Sequence, residues 1–284
     1  MKTSNRLSLP SVALALAMLF NAAHAADVRT AAQARLLAAN ADAAFQIRVA
    51  VQEDSAPKYL ADAPSLGGAV SGICPDLLRA IEKKLPGVHF VFEPRAQPLR
   101  RIENRMEIGE LDANCLADNA TRRSKFQVAP MPLFAFDYHL IARADDPVQI
   151  TGWDDVRRLG ANGKILILSG TGMTERLREV GGLTFEESGK SATTNLRKLI
   201  MGRGRFFYYR TLDWNSQLRA AMVTGQVRIL PMRMETVQFH LMFGPHLKSE
   251  LLPQVERALQ ELDADGTLAR IRKQWRLRPS GTDD

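Results

Sequence analysis

Hydrophobic residues recur along this chain in two rhythms. Residues 46–51 (QIRVAV) set Ile47, Val49 and Val51 against Arg48, the alternation of a strand. A stretch rich in Asp, Ser, Pro and Gly follows from 52 to 72, and residues 76–84 then place Leu77, Leu78 and Ile81 at helical spacing. Pro75 falls at the first turn of that helix, where a missing N–H costs nothing. A strand at 88–92 comes next, then a helix marked by Leu99, Ile102 and Met106 and ended by Gly109, then a strand at 111–117. This order predicts a parallel sheet with helices on its faces. Ligands of such sheets sit beyond the carboxyl ends of the strands, which puts the 52–59 loop and the 118–123 segment on one rim.

A second series begins with a long strand at 134–144 (FAFDYHLIARA) that leaves the first unit. Residues 164–168 (KILIL) are a strand, 169–172 a turn and 173–180 a helix; further strands fall at 206–209 and 227–230, and 236–243 (TVQFHLMF) carries the chain back. Helices at 254–262 and 267–275 close it, with Leu268, Ile271 and Trp275 on a shared face. The expected architecture is α/β with two lobes joined by two crossing strands. Lobe one takes residues 47–138 and 237–284, and lobe two takes 139–236.

The first residues change the setting. Lys2 and Arg6 precede an apolar run at 11–20, and Ala23-His24-Ala25 offers a small-x-small site, so a signal peptide of residues 1–25 is expected, cleaved after Ala25. The run is shorter than the roughly 20 residues of a spanning helix. A soluble, exported, periplasmic protein follows as the expectation. Residues 27–45 are Ala-rich and read as a leader helix without an assigned role.

The net charge of +7 includes Lys2 and Arg6, so the exported chain would carry +5, a balance that favours anionic solutes or an anionic membrane surface over nucleic acid. The densest basic stretch, Arg270, Arg272, Lys273, Arg276 and Arg278, reads as the solvated face and tail of the last helix. The two cysteines, Cys74 and Cys115, permit one disulfide in an oxidising compartment and fit neither a redox CxxC nor a zinc site. The five histidines are scattered, so no metal and no cofactor are called for.

IRVAV, GICPDLLRAIEKK, GELDANCLADNATRRSKFQVAPMP, KILILSGTGMTERL, GRGRFFYY and LPQVERALQELDADGTLARIRKQW occur here in that order from Ile47 to Trp275. Together they resemble the periplasmic solute-binding proteins of the amino-acid type, solute-binding family 3. The resemblance implies the two-lobed type II periplasmic-binding-protein fold, with the two crossing strands as its hinge. In that family an Arg after the third strand holds the ligand carboxylate, and the match falls on Arg123, with Ala120 in place of the usual Thr; Arg122 is the alternative. A guanidinium suits the task because its fork bonds a carboxylate bidentately. The SGTGMT segment matches the turn that opens the second-lobe helix, so the N–H groups of Thr171 and Gly172 are expected to face an anion. In this architecture Cys74 and Cys115 both lie near the rim of lobe one, where a bridge is sterically plausible.

Two departures stand out. Where the family places an Asp for the ligand's α-ammonium, this chain has Arg210, with Asp213 three residues on. Either Asp213 substitutes, or the ligand lacks that amine or carries a second acid. Where the family has an aromatic after the first loop's prolines, Ala56-Pro57 is followed by Lys58, and Tyr59 is left to form a platform under the ligand or to pack on its own lobe.

The function this implies is binding of a small carboxylate-bearing solute, an amino acid or a related acid, by a monomer that delivers it to an ABC permease and ATPase. A ligand-sensing subunit is the alternative. An enzyme on the same scaffold, of the lyase type, ranks below both: Ser55-Ala56-Pro57-Lys58 matches the Ser-x-x-Lys acylating pair of some hydrolases but lies in a loop rather than opening a helix, and no His–Asp pattern or paired acid is evident.

Overall fold

The computed structural model describes residues 45–60, 70–212 and 214–277. The expected signal peptide, the 27–44 stretch, Asp213 and Arg278 lie outside the described residues. The chain divides into two units after Phe45, the second being Gln46–Asp284.

The strands are β1 (Phe45–Gln52), β2 (Val88–Gln97), β3 (Ala113–Ala117), β4 (Gln127–Val128), β5 (Phe134–Arg143), β6 (Ile165–Leu168), β7 (Phe185–Gly189), β8 (Phe206–Arg210) and β9 (Val227–Phe243). They form one mixed sheet in the order β2-β1-β3-β9-β5-β8-β6-β7, with β4 pairing beside β9. β1 runs parallel to β3, and β6 parallel to β7 and β8. β9 is antiparallel to both β3 and β5. All residues of β3 (ANCLA) and β6 (ILIL) are buried, as expected for strands covered on both faces.

The helices are α1 (Ile73–Glu82), α2 (Leu99–Glu107), α3 (Ala120–Lys125), α4 (Trp153–Arg158), α5 (Met173–Val180), α6 (Ala192–Ile200), α7 (Trp214–Ala221), α8 (Leu251–Ala264) and α9 (Thr267–Gln274). One apolar cluster gathers Ile102 and Met106 of α2 with Leu116, Phe126 and Met242. A second gathers Leu196 and Leu199 of α6 with Leu166, Phe207, Leu218 and Val227.

The sequence pattern separates residues 227–230 from 236–243, whereas the chain forms one strand of 17 residues there. Its register against β5 slips near His139, which pairs with Arg233, while Ile141 pairs with Ile229. Pro231 lies in that irregular stretch and has no N–H to give to the ladder. The slip resets which face each side chain takes, so the alternation breaks although the strand does not.

Arg272 also departs from expectation. It is buried rather than solvated, donating from Nε to the Leu133 carbonyl (2.8 Å) and from Nη2 to the Pro132 carbonyl (3.0 Å). On the same terminal segment Trp275 Nε1 donates to Asp76 (2.9 Å), which fastens the chain end to α1. Among the described residues no helix is long and apolar enough to cross a membrane.

Candidate functional site

The carboxyl ends of β1 and β3 face the turn between β6 and α5 across a cavity of about 40 Å³. That admits a water or two and is far below the roughly 300 Å³ and upward of ordinary ligand pockets. The two sides are drawn together over it: Arg210 Nη2 donates to the Ala56 carbonyl (2.7 Å) and Arg176 Nη1 to the Asp118 carbonyl (2.9 Å). Seating a solute therefore requires the sides to part and close again around it.

Lys58 reaches this cavity from the first loop. Its carbonyl accepts from the Cys74 N–H (3.2 Å), and the Pro57 carbonyl accepts from the Ile73 N–H (3.1 Å), so the free N–H groups at the start of α1 anchor the loop. Gly72 makes this approach possible: its φ is +133°, and a Cβ there would lie 2.5 Å from the Lys58 carbonyl oxygen. The ammonium of Lys58 is buried and donates to Gln52 Oε1 and to the Cys115 carbonyl (3.1 Å). Burial pushes its pKa well below the usual lysine value, the nearby charges of Arg122 and Arg210 push it further, and Glu103 opposes them.

Of the two candidate arginines, Arg122 lines the cavity and Arg123 does not. Asn119 decides this by capping α3, its side chain accepting from the Arg122 N–H (2.7 Å). Arg122 then turns inward, with Nε on Glu103 (2.6 Å) and Nη1 on the Ala117 carbonyl (2.7 Å). Arg123 points outward with its side chain 54 % exposed and pairs with Asp118 (2.6 Å). Thr171 and Gly172 complete that wall, and Gly170, with φ +73°, makes the turn that brings them there.

Arg210 lines the cavity from β8. It lies over the rings of Tyr209 (4.7 Å) and Phe136 (5.6 Å), and its buried Nε has no hydrogen-bond partner among the described residues. Tyr59 is a core residue and no platform: it is 1 % exposed, and its hydroxyl donates to Asn114 (2.9 Å) and lies 3.0 Å from Cys74 Sγ. Burial raises its pKa. Cys74 and Cys115 are joined as a disulfide, with Cα atoms 6.2 Å apart. Asp213 lies outside the described residues.

A family model of the bacterial extracellular solute-binding proteins, family 3, matches residues 47–278. The chain belongs to that family. This solute-binding protein also has the fold of a histidine kinase sensor domain described as similar to periplasmic binding proteins, at 21 % identity and TM-score 0.68, covering 84 % of this chain and 100 % of that one. It is similar to the probable amino-acid ABC transporter extracellular-binding protein YtmK of Bacillus subtilis, at 18 % identity and TM-score 0.63, with 81 % and 97 % of the two chains covered. An ancestral arginine-binding protein bound to arginine gives 20 % identity and TM-score 0.64 over 81 % of this chain and 97 % of that one. No curated protein matches the chain significantly in sequence.

Sequence places the 52–59 loop of this solute-binding protein on the rim but not Glu103, nor the burial of Lys58 and its bond to Gln52. Glu103 stands four residues after Leu99, itself a cavity residue, and so shares its helical face. Lys58 carries no comparable signal, since a loop lysine is ordinarily solvated.

Proposed function

We propose that this family 3 solute-binding protein works in the periplasm as a monomer, binding a small carboxylate-bearing solute, an amino acid or a related organic acid, for delivery to an ABC permease and its ATPase. The observation that carries the reading is Arg122: a buried guanidinium held by Glu103 and the Ala117 carbonyl, presented to a cavity between the two sides of the sheet. Closure follows from contacts the solute makes better when the sides meet. Export by the signal peptide of residues 1–25 belongs to the same reading.

A binding role rather than catalysis is supported by the family and by the committed hydroxyl of Ser55, which donates to the Gln52 carbonyl (2.6 Å). A thermal-shift screen of residues 26–284 against amino acids, their deaminated analogues, dicarboxylates and small anions tests the proposal. A ligand at a thousand times its dissociation constant adds about 4 kcal/mol, roughly 8 °C or more at this size. No shift with any acid would sink it. Import and sensing share the same closure, and stimulation of the partner permease's ATPase in proteoliposomes separates them.

A further inference from the structure

Three cationic side chains, Lys58, Arg122 and Arg210, line one cavity, and each residue is less than 9 % exposed. Glu103 pairs with Arg122; among the described residues no carboxylate lines the cavity itself. Lys58 is held by a side-chain amide and a carbonyl, and Arg210 by the Ala56 and Asp54 carbonyls, all neutral acceptors. Burying uncompensated charge is costly, and proteins keep such groups where a ligand supplies the opposite charge.

The cations fall into two sets. Arg122 stands against the start of α5, where a Cβ at Gly172 would lie 3.2 Å from its Nη1. Lys58 stands beside Arg122, its Nζ on the Cys115 carbonyl and Arg122 Nη1 on the Ala117 carbonyl two residues along β3, while Arg210 comes from β8 and bonds the Ala56 and Asp54 carbonyls of the first loop. Nε of Arg210 is buried without a hydrogen-bond partner among the described residues. An α-ammonium would meet cations on both sets and no carboxylate in the lining of this cavity.

We infer that the solute is a small organic dianion, a dicarboxylate without an α-amino group, with one acid on Arg122, Lys58 and the α5 start and the other on Arg210. This rests on the acid-binding reading above and names its substrate class.

Isothermal titration of the exported protein with succinate, glutarate, butyrate, L-glutamine and inorganic phosphate tests it. The expected result is a dicarboxylate bound at least 100-fold more tightly than glutamine and at least tenfold more tightly than butyrate. Arg210→Gln should lose at least tenfold for the dicarboxylate and shrink its preference over butyrate, whereas Lys58→Met should weaken the dicarboxylate and butyrate alike. Glutamine or butyrate binding as tightly as the dicarboxylates overturns the dianion while leaving the acid-binding reading intact. Phosphate binding more tightly than every dicarboxylate overturns the two-acid arrangement. Silence from the whole series overturns both readings.

Discussion

A Cβ atom at Gly172 would sit 3.2 Å from Nη1 of Arg122 and 2.9 Å from Nδ2 of Asn119. The start of α5 thus rests on the guanidinium that faces it across the cleft. Gly172→Ala forces α5 away, at a cost of about 1–3 kcal/mol if the contact must persist. Parting the cleft slightly relieves it. The expected outcome is ligand affinity reduced roughly tenfold or more with a melting temperature close to the parent's, read by titration calorimetry and thermal denaturation.

Arg122 and Arg123 should separate cleanly on mutation. Arg122→Lys keeps a charge but loses the fork and the bonds to Glu103 and Ala117, so affinity should fall by about 2–3 kcal/mol. Arg123→Ala removes only an exposed pair with Asp118, and stability and affinity should change by less than about 0.5 kcal/mol. Equal losses in both variants would contradict the placement.

The depressed pKa of Lys58 has a definite sign in stability. The unfolded chain holds the lysine proton up to about pH 10.5, while the folded chain releases it earlier. The unfolded state therefore binds more protons between the two values, and unfolding free energy from this group rises with pH across that window. Lys58→Met should remove that slope and, by deleting a buried charge, stabilise the unliganded protein by about 1 kcal/mol. Denaturant melts of both proteins at several pH values check this; an unchanged slope would place the titration elsewhere.

The disulfide closes a loop with a sequence separation of 41 residues. Chain entropy for a loop of that size is worth about 3–4 kcal/mol. Cys115 also carries the carbonyl that accepts from Lys58, and the Cys74 N–H holds the Lys58 carbonyl. Reduction, or Cys74→Ser with Cys115→Ser, should lower the melting temperature by roughly 8 °C or more and weaken ligand binding as well. Calorimetry with and without dithiothreitol distinguishes this from a purely structural bond, which would cost stability alone.

The regular parts of this fold are legible in sequence where one periodicity governs. The helix expected at 173–180 is α5, and β1 and α2 lie within two residues of expectation. β9 hides because its register slips near Pro231. The choice between Arg122 and Arg123 hides because neighbouring residues on α3 point different ways, and only the Asn119 cap sets the phase. Lys58 is a tertiary effect: its burial depends on Gln52, Cys115 and the start of α1, which are distant in sequence or silent in pattern.

β9 places Val227 in one apolar cluster and Met242 in the other. The seam between the two sides therefore runs through a strand and not between strands. Such a molecule is a poor subject for shuffling, since a recombination breakpoint at the seam would sever a ladder shared by both cores. Positions 58 and 210, which line the cavity and belong to neither cluster, can change by single codons without touching that frame.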